Sequence, residues 1–460
     1  MLVKQIKTSC PLNYLQVAAA LKNDPYFVFL DSSDNKQANY SYLAFDPFLV
    51  FSVENGQVLI KYRSGKQELI SKKPFDYLEK LLQKFYCPDI VSFSAGAIGN
   101  ISYEACRFLT DYSFVQKNSN FPDMTLGFYD KVFIYSHQSQ LFDFYETQFE
   151  TIQSSSFNIQ SFIKNHEMST QKYSFEVGDI QSELSQSSYE KAIHQIQRYI
   201  REGDCYQVNF TYSNSCTFKG DPFSLYLALR SNSPAPYSAY LASAFGVILS
   251  SSPEQLLSSE GNRVTTKPIK GTIARFQNKK ADQQQKNSLS NSIKDQAELL
   301  MIVDLERNDL ARVCRPGSVT VVEHARLETY SHVHHLVSTV MGEKSPGFSA
   351  LDVFKALFPG GSITGAPKIR SMEIIEELEL LDRNSYTGSI SYFCFTGSVH
   401  SSISIRTMYI KDNKLFYHVG GGIVSDSDPQ KEWEETKIKS QGMLNALIEG
   451  MGMQHEECVS

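Results

Sequence analysis

Short runs of apolar residues, most of them aromatic or β-branched, recur through the first 170 residues of the chain. The runs YFVFL, SYLAF, FLVFSV, QVLIKY, KVFIYS and LFDFYE each predict a β-strand, because such side chains pack well on a half-buried pleated surface. A polar stretch from about residue 152 to residue 186 then predicts a surface connection, in which FEVGDI fits a short strand. Residues 1–170 are therefore predicted to form a β-rich region.

A helix is predicted to begin after this polar stretch. The segment Ser187-Ser188-Tyr189-Glu190 fits a capping box, in which serine and glutamate side chains satisfy free backbone N–H groups at a helix start. Gly203 is expected to end the helix, because glycine readily adopts the left-handed conformation found there. The apolar residues that recur at helical spacing between these two points are Tyr189, Ile193, Ile196 and Ile200.

Strand-like and helical runs alternate from there to about residue 450. The strand-like runs are YQVNFTYS, GVILSS, RVTTKP, SVTVV, GSISYFCF, SISIRTMYI and KLFYHV. Strict βαβ alternation is missing, which favours α+β layering with antiparallel sheets within the broad α/β class. We expect a C-terminal region at residues 187–450 and a tail at residues 451–460. The helical runs are predicted at Ile293–Arg312, Ala350–Phe358, Lys368–Leu378 and Gln430–Ile448.

Composition and charge exclude several classes of protein. The 460 residues carry a formal net charge of -6, which gives no basic stripe for a nucleic-acid partner. An anion must therefore be bound by a local pocket. The eight cysteines have no C-x-x-C spacing, so neither a zinc site nor a disulfide framework is expected. The N-terminus resembles no signal peptide, and no apolar run is long enough to span a membrane, so we expect a reduced, cytoplasmic protein.

Two short segments offer groups for nucleophilic and acid–base chemistry. Lys270 lies in KPIKGT at the predicted end of a strand, where a desolvated amine loses its proton easily and becomes a nucleophile. Glu254 follows the strand GVILSS in a Ser-Pro-Glu sequence and fits a general acid. A solvated turn lysine and an ordinary Ser-Pro-Glu turn are the alternatives, and the two segments by themselves leave them open.

Two acidic pairs are candidates for metal binding. Asp295 and Glu298 lie three residues apart, as do Glu432 and Glu435, so each pair occupies one face of its predicted helix. Two such faces turned towards each other require a cation, and ligands that are all oxygen atoms favour magnesium. Two solvated helix faces are the alternative, because acidic residues at this spacing are common on helix surfaces.

Glycine-rich segments and one arginine are candidates for anion binding. The segment FPGGSITGAPK leads into a helix whose backbone N–H groups can bind a carboxylate, although it lacks the Lys and Ser/Thr of a phosphate-binding Walker loop. Bare backbone at Gly420, Gly421 and Gly422 allows close approach of a ligand. Arg406 is predicted on a strand and can clamp a carboxylate with two hydrogen bonds. Ordinary turns and a solvated arginine are the alternatives.

Histidines are concentrated in the segment SHVHHLVS, which holds three of the ten in the chain. No cysteine or further histidine completes a metal site there. We therefore expect one functional histidine and two incidental ones.

Eight strings occur in a fixed order along the chain: SPE, PIKGT, DQAELLMIVDLERND, HHLVS, FPGGSITGAPK, IRT, GGGIV and EETKIKS. Together they resemble the chorismate-utilising enzymes, the family of the aminodeoxychorismate, anthranilate, isochorismate and salicylate synthases. The resemblance is dense from about residue 187 to residue 447 and thinner before it. It implies a fold of two packed antiparallel β-sheets surrounded by helices, with a chorismate site in the C-terminal half.

The resemblance also implies a role for each matching residue. Glu298 and Glu435 would bind magnesium directly, and Asp295 and Glu432 would hold its waters. The ion would neutralise the ring carboxylate of chorismate and stabilise charge as the 4-hydroxyl leaves. His335 would lie beside the ring. The residues that would bind or surround the substrate are Thr272, Gly361, Ser362, Thr364, Tyr386, Arg406, Gly420, Gly421, Gly422 and Lys439.

Two positions separate the members of this family. Gln207 stands where the water-using isochorismate and salicylate synthases carry a lysine base, which implies that ammonia is the nucleophile. Lys270 stands where anthranilate synthases carry a small residue, commonly alanine. In the branch with this lysine, the amine is thought to attack C2 of chorismate before ammonia attacks C4 and displaces it. Glu254 would protonate the leaving 4-hydroxyl.

The expected activity is therefore amination of chorismate at C4, for p-aminobenzoate and folate synthesis. Anthranilate synthesis is the alternative within the family, and a catalytically dead chorismate-fold binding protein is the alternative outside enzymes. None of the cysteines lies in the G-x-C-x-G turn of a glutaminase, so ammonia is expected from a separate glutaminase subunit.

A regulatory tryptophan is not expected in the N-terminal half. Relatives that bind tryptophan there often carry a serine at a strand end and an arginine before Tyr-Ser or Phe-Ser. Leu30-Asp31-Ser32 fits the first feature loosely, but Asn39 takes the place of the arginine.

Overall fold

The structure is a computed structural model that describes residues 3–34, 39–110, 117, 121–153, 155–166, 174–276, 278–330 and 333–451. The strands within these ranges are β1 (Val3–Ser9), β2 (Val28–Asp31), β3 (Tyr40–Ala44), β4 (Leu49–Glu54), β5 (Gln57–Tyr62), β6 (Gln67–Ile70), β7 (Gly96–Ile101), β8 (Met124–Tyr129), β9 (Lys131–Ser136), β10 (Phe142–Phe149), β11 (Phe175–Val177), β12 (Gln181–Ser182), β13 (Gln207–Gly220), β14 (Tyr237–Ser243), β15 (Gly246–Ser252), β16 (Gln255–Glu260), β17 (Arg263–Lys267), β18 (Ile269–Ala274), β19 (Thr320–Thr329), β20 (Val333–Glu343), β21 (Gly365–Ala366), β22 (Ser389–Cys394), β23 (Val399–Ile403), β24 (Thr407–Lys411) and β25 (Lys414–Ile423).

These strands form two large antiparallel sheets. In the first, the strand order is β1-β10-β9-β3-β2-β14-β15-β24-β25-β13-β11, and β12 and β21 also pair with β13. In the second, the order is β18-β20-β17-β16-β23-β22-β7-β8-β4-β5-β6, and β19 pairs with β20. Helices surround the sheets. The predicted fold class, with two antiparallel sheets and α+β layering, is confirmed.

The helices predicted in the C-terminal half are all present, with ends shifted by at most three residues. None of the helices in the described ranges is long and apolar enough to cross a membrane. The helices are α1 (Tyr14–Leu21), α2 (Pro74–Lys84), α3 (Ile159–His166), α4 (Gln186–Glu202), α5 (Pro222–Asn232), α6 (Lys279–Ser290), α7 (Ile293–Ala311), α8 (Ala350–Leu357), α9 (Lys368–Leu378) and α10 (Pro429–Met451), with the 3-10 helices η1 (Tyr103–Phe108) and η2 (Gly361–Ile363).

Both sheets combine strands from the two halves of the chain. In the first sheet β2 pairs with β14, and in the second sheet β7 pairs with β22. The β-rich region at residues 1–170 therefore contributes to the same sheets as the region at residues 187–450. The boundaries at residues 170, 187 and 450 stay predictions, and residues 452–460 of the predicted tail lie outside the described residues.

Aromatic side chains fill two of the apolar cores. In one core, Phe48 and Phe85 pack with ring centroids 4.9 Å apart. In another, Tyr212 stacks on Trp433 at 5.2 Å, and Tyr189 of α4 packs on the same indole. Trp433 is the one tryptophan of the chain and belongs to α10. This packing fixes α10, which carries two of the predicted metal ligands, against the first sheet.

The start of α4 differs from the prediction. Its N-cap is Ser185, whose hydroxyl accepts a hydrogen bond from the N–H of Ser188, so the predicted capping box at Ser187 is wrong by two residues. Either serine can cap a helix, and the earlier start adds the backbone hydrogen bond from Tyr189 to Ser185. Gly203 ends the helix with a φ of 87°, as predicted. The polar stretch before it contains α3, a short helix that the prediction missed.

Candidate active site

A cavity of about 360 Å³ lies in the C-terminal half of the molecule. It is bounded by strands β13 and β25 of the first sheet, by β18 of the second sheet and by the helices α7 and α10. Its wall brings together most of the predicted functional residues, although they come from distant parts of the chain. These are Glu254, Lys270, Thr272, Asp295, Glu298, His335, Ser362, Tyr386, Arg406, Gly420, Gly422, Glu432, Glu435 and Lys439.

Lys270 is the second residue of β18, and not the last residue of a strand as predicted. The strand register shifts between Lys270 and Thr272, where Gly271 has a φ of +64°. This bulge changes the direction of the side chains and leaves the amine of Lys270 within 3.5 Å of the carbonyl oxygen of Ser362. Burial lowers the pKa of Lys270, and the carboxylate of Glu298 opposes that shift. The amine therefore gives up its proton more readily than an exposed lysine.

The three glycines at 420–422 lie inside β25 and do not form a turn. A β-carbon on Gly422 would lie 2.7 Å from Nε2 of Gln207 and 3.0 Å from Nζ of Lys270, so the bare backbone makes room for both groups. Gln207 is fully buried in β13, and neither its oxygen nor its nitrogen has a hydrogen-bond partner among the described residues. A buried amide without partners is costly, which makes it a candidate for contact with a small polar ligand.

Glu254 lies between β15 and β16 and is 2% exposed. Its Oε1 atom accepts a hydrogen bond from the backbone N–H of Ile269, the residue before Lys270. Burial raises the pKa of Glu254 to about 7, while Lys270 and Arg406 act in the opposite direction. The carboxyl group is therefore partly protonated near neutral pH, which is the state that a general acid requires.

Arg406 and His335 form a direct pair in the cavity wall. Nη2 of Arg406 donates to Nε2 of His335 at 3.2 Å, and Nδ1 of His335 lies 2.9 Å from Oγ1 of Thr272. Burial lowers the pKa of His335 to about 3, so the ring is neutral and carries its proton on Nδ1. Arg406 lies in the turn between β23 and β24 with a φ of +50°, so the prediction that it lies on a strand is wrong. The turn aims the guanidinium into the cavity.

The two acidic pairs face each other across the cavity. Asp295 and Glu298 belong to α7, and Glu432 and Glu435 belong to α10. Burial raises the pKa of Glu298, and the neighbouring carboxylates add to that shift. The amine of Lys294 lies 3.9 Å from Glu298 and 3.5 Å from Glu432, and thus bridges the two helices. Carboxylate oxygens from two helices are ligands that a divalent cation prefers, although the lysines and Arg406 of the same wall balance part of their charge.

The donor set fits a magnesium ion held mainly by water. Within the described ranges, no three Asp, Glu, His or Cys side chains converge closely enough to form a metal cluster. Magnesium prefers one or two direct carboxylates and completes its octahedron with waters and substrate oxygens. Glu298 and Glu435, one on each helix, would supply the direct ligands, and Asp295 and Glu432 would hold its waters.

Lys439 and Tyr386 form another part of the wall. Nζ of Lys439 donates to the carbonyl of Gly420 at 3.1 Å and lies 2.7 Å from Oε1 of Glu435. Tyr386 stacks on His418 with ring centroids 5.3 Å apart, and burial raises the pKa of Tyr386 to about 12. An ammonium group and a phenol that keeps its proton are both hydrogen-bond donors, so this part of the wall suits a carboxylate.

Gly361 and Thr364 lie behind the cavity wall, on the segment that contributes Ser362. A β-carbon on Gly361 would meet the side chain of Leu305 at 2.7 Å, so this glycine allows η2 to pack against α7. Thr364 donates to the carbonyl of Gly360 at 2.9 Å and holds the segment in shape. The first residues of α9 do not line this cavity, and anion binding by the N-terminus of this helix stays a prediction. Gly421 lies in β25, and a β-carbon on it would lie 3.4 Å from the side chains of Glu432 and Lys439.

Sequence patterns missed the buried ion pair of Arg383 and Glu379. Arg383 is 1% exposed and donates to Glu379 and to the backbone carbonyls of Asn209 and Ile363, two residues of the cavity wall. Glu379 also accepts hydrogen bonds from the N–H and the hydroxyl of Thr211. Neither residue stands in a recognisable motif, and a charged pair four residues apart reads as a solvated helix face.

The histidine-rich segment contributes one residue to the site. His335 lines the cavity, whereas His334 lies on the opposite face of β20 and pairs with Asp282 at 2.9 Å. His332 lies outside the described residues. His418, which also lines the cavity, was missed because a single histidine in a strand carries no motif.

A separate cavity of about 680 Å³ is lined by Leu30, Asp31, Ser32 and Asn39 among others. Asp31 is 1% exposed there and pairs with Arg230 at 2.5 Å. The expectation that this region does not bind tryptophan stays a prediction.

The arrangement of two interleaved antiparallel sheets and a cavity with carboxylates, lysines and an arginine is that of a chorismate-utilising enzyme. The family model of chorismate binding enzymes matches residues 25–445, and the chain belongs to this family. The resemblance found in the sequence is thereby confirmed.

Individual relatives carry two different names. The chain is 35% identical over 441 residues to aminodeoxychorismate synthase component 1 of Escherichia coli (strain K12), covering 93% of this chain and 94% of that protein. It is 33% identical over 434 residues to anthranilate synthase component 1 of Acetivibrio thermocellus, covering 90% and 88%.

Solved structures with the same architecture include two members of the family. Anthranilate synthase component I from Streptococcus pneumoniae TIGR4 superimposes with a TM-score of 0.78 at 28% identity, covering 88% of this chain and 92% of that one. MenF, the menaquinone-specific isochorismate synthase from Escherichia coli, superimposes with a TM-score of 0.76 at 17% identity, covering 97% and 94%. At that identity the second match supports the fold alone.

Proposed function

We propose that this chain is component 1 of an aminodeoxychorismate synthase, which replaces the 4-hydroxyl of chorismate by an amino group on the route to p-aminobenzoate and folate. The observation that carries the proposal is Lys270. Its amine lies in the cavity, burial lowers its pKa, and it stands at the position where anthranilate synthases carry a small residue. Relatives named aminodeoxychorismate synthase component 1 support the same choice.

The reaction divides into two displacements that use groups of this chain. The neutral amine of Lys270 attacks C2, the ring double bonds shift, and the 4-hydroxyl leaves as water with a proton from Glu254. Ammonia then attacks C4, the double bonds shift back, and the C2–N bond to Lys270 breaks. A covalent intermediate replaces one difficult direct displacement at C4 by two easier steps.

Substrate carboxylates are held by the remaining charged and polar groups. Arg406, oriented by neutral His335, suits one carboxylate, and Lys439 with the phenol of Tyr386 and the backbone of β25 suits the other. When bound, magnesium would neutralise the ring carboxylate and stabilise charge at the leaving hydroxyl. Gln207 cannot act as a base to activate water, which supports ammonia as the nucleophile.

The ammonia would come from a separate glutaminase subunit. The name component 1 of the relatives implies a second component. The seven described cysteines are buried and unpaired, and none is placed in a glutaminase motif. Their reduced state also supports a location in the cytoplasm as part of this proposal.

Product identity tests the proposal directly. The pure chain is incubated with chorismate, magnesium and ammonium salt, and the products are separated and identified by mass and ultraviolet spectrum. A 4-amino product that a separate lyase converts to p-aminobenzoate is expected. Anthranilate as the product would overturn the assignment of position C4 and leave Lys270 without a function.

The second candidate is a catalytically dead binding protein, in which substrate binding would not depend on the metal. The filled positions of Lys270, Glu298 and Glu435 argue against it. Chorismate binding that strengthens when magnesium is added would exclude it, and binding that ignores magnesium would favour it.

A further inference from the structure

Lys294 stands at the mouth of the cavity, in the first turn of α7, and its position is not explained by the catalytic steps. Its side chain is 44% exposed, whereas that of Lys439, in the same wall, is 30% exposed. Its amine contacts Oε1 of Glu298 on its own helix at 3.9 Å and Oε1 of Glu432 on α10 at 3.5 Å. One flexible side chain therefore spans the gap between the two acidic pairs.

The amine of Lys294 lies between carboxylates of two helices, Glu298 on α7 and Glu432 on α10. Its positive charge offsets the repulsion between these two carboxylates. The contacts are long and half exposed, so breaking them costs little.

The other cationic groups of the site are held more firmly. Lys439 donates to the carbonyl of Gly420 and lies 2.7 Å from Glu435. Lys270 points into the cavity towards Ser362. A divalent cation bound by Glu298, with waters held by Glu432, would lie close to the amine of Lys294. Like charges at short distance repel each other. Lys294 has longer contacts and a more exposed side chain than Lys439, so it can move into solvent more easily.

We propose that Lys294 is a built-in counter-ion, which holds the two acidic pairs together before a divalent cation binds and moves outward when that cation arrives. The proposal rests on the magnesium site of the proposed function. It assigns Lys294 a role in metal loading and makes it a positioning residue, not a catalytic one.

Magnesium titration of the full chain without chorismate tests this role. Fluorescence of Trp433 gives the signal, because this single tryptophan follows Glu432 directly on α10. Lys294→Gln should bind magnesium about tenfold more tightly, because a unit charge near the ion is removed. Lys294→Arg keeps the charge and should bind magnesium as the original chain does.

Thermal unfolding gives a second readout that does not depend on activity. With a chelator present, Lys294→Gln should melt about 1 °C below the original chain, because Glu298 and Glu432 lose their counter-ion. At saturating magnesium this difference should disappear. Arg307→Gln is the matched control, since it removes an exposed ion pair with Asp304 on the same helix and away from the cavity.

Several outcomes would overturn the proposal. Unchanged or weaker magnesium binding by Lys294→Gln would mean that Lys294 does not compete with the ion. An equal loss of stability with and without magnesium would reduce its role to an ordinary surface ion pair. If the original chain bound no magnesium, the metal site and this proposal would both fall, while product analysis would still test the amination.

Discussion

The amine of Lys270 lies 3.0 Å from the position that a β-carbon would occupy on Gly422. Nε2 of Gln207 lies 2.7 Å from the same position. The absence of a side chain on one strand residue thus brings together a nucleophilic amine and an unpaired amide, two groups from strands far apart in the chain. A methyl group at this position would separate them.

Substitution of Gly422 by alanine should therefore damage activity more than stability. The displaced atoms are the ends of two flexible side chains, so the free energy of unfolding should change by about 1 kcal/mol or less. We expect kcat/KM to fall by about 100-fold or more, because small misplacements of reacting groups are costly. Gly421→Ala is the comparison: its β-carbon would make ordinary contacts of 3.4 Å with Glu432 and Lys439 and would not crowd Lys270 or Gln207, so its effect should be smaller. Equal effects of the two substitutions would contradict the argument.

Replacement of Lys270 by alanine should change the product and not simply abolish turnover. Without the covalent step, ammonia can attack C2 directly and form an anthranilate-type ring precursor. Product separation after incubation with chorismate, magnesium and ammonium salt checks this. Aminodeoxychorismate made at an undiminished rate by the variant would rule out the covalent mechanism.

The rate should fall with increasing pH above about 7, because Glu254 must be protonated to donate to the leaving hydroxyl and its pKa is raised to about 7. Each further pH unit should then lower the rate about tenfold. Glu254→Gln should lose this limb of the profile and retain about 1% of the activity or less.

The pH dependence of folding stability should also reflect Glu254. A carboxyl whose pKa is higher in the folded state favours folding at low pH, and this contribution is lost as the pH rises towards 7. The original chain should therefore lose stability relative to Glu254→Gln between about pH 4.5 and pH 7, and a constant difference would contradict the buried, protonated state.

The metal requirement should depend on Glu298. Glu298→Gln removes one of two proposed direct carboxylates, so the magnesium concentration for half-maximal activity should rise about tenfold or more. Glu306→Gln, on the same helix but outside the cavity wall, is the control. It should not change the magnesium concentration for half-maximal activity. An unchanged titration for Glu298→Gln would remove this residue from the metal site.

Sequence patterns predicted the sheets and the long helices because periodicity records which side of an element is buried. They also placed Lys270, Glu254 and the acidic pairs in short strings, since each string combines a reactive residue with a local backbone signal. They failed where the backbone conformation is not determined by the neighbouring residues in the sequence. Arg406 reaches the cavity through a turn with positive φ, and the glycines of β25 serve a strand and not a turn.

Long-range pairing was the other limit. Arg383 and Lys294 act on groups that belong to other elements, Asn209 and Ile363 in one case and Glu432 in the other. Such contacts depend on how the sheets and helices come together in three dimensions, and a single sequence contains no periodic signal for them.

The pairing of β2 with β14 and of β7 with β22 has a consequence for synthesis of the chain. At 5–20 residues per second, the ribosome releases β14 roughly 10–40 s after β2, so the early strands are exposed with unpaired edges for that time. The last strand of each sheet, β25 in the first and β23 in the second, lies in the final third of the chain. Protection of nascent N-terminal strands by chaperones, and not the intrinsic speed of any one pairing, should therefore govern how much active protein a cell obtains.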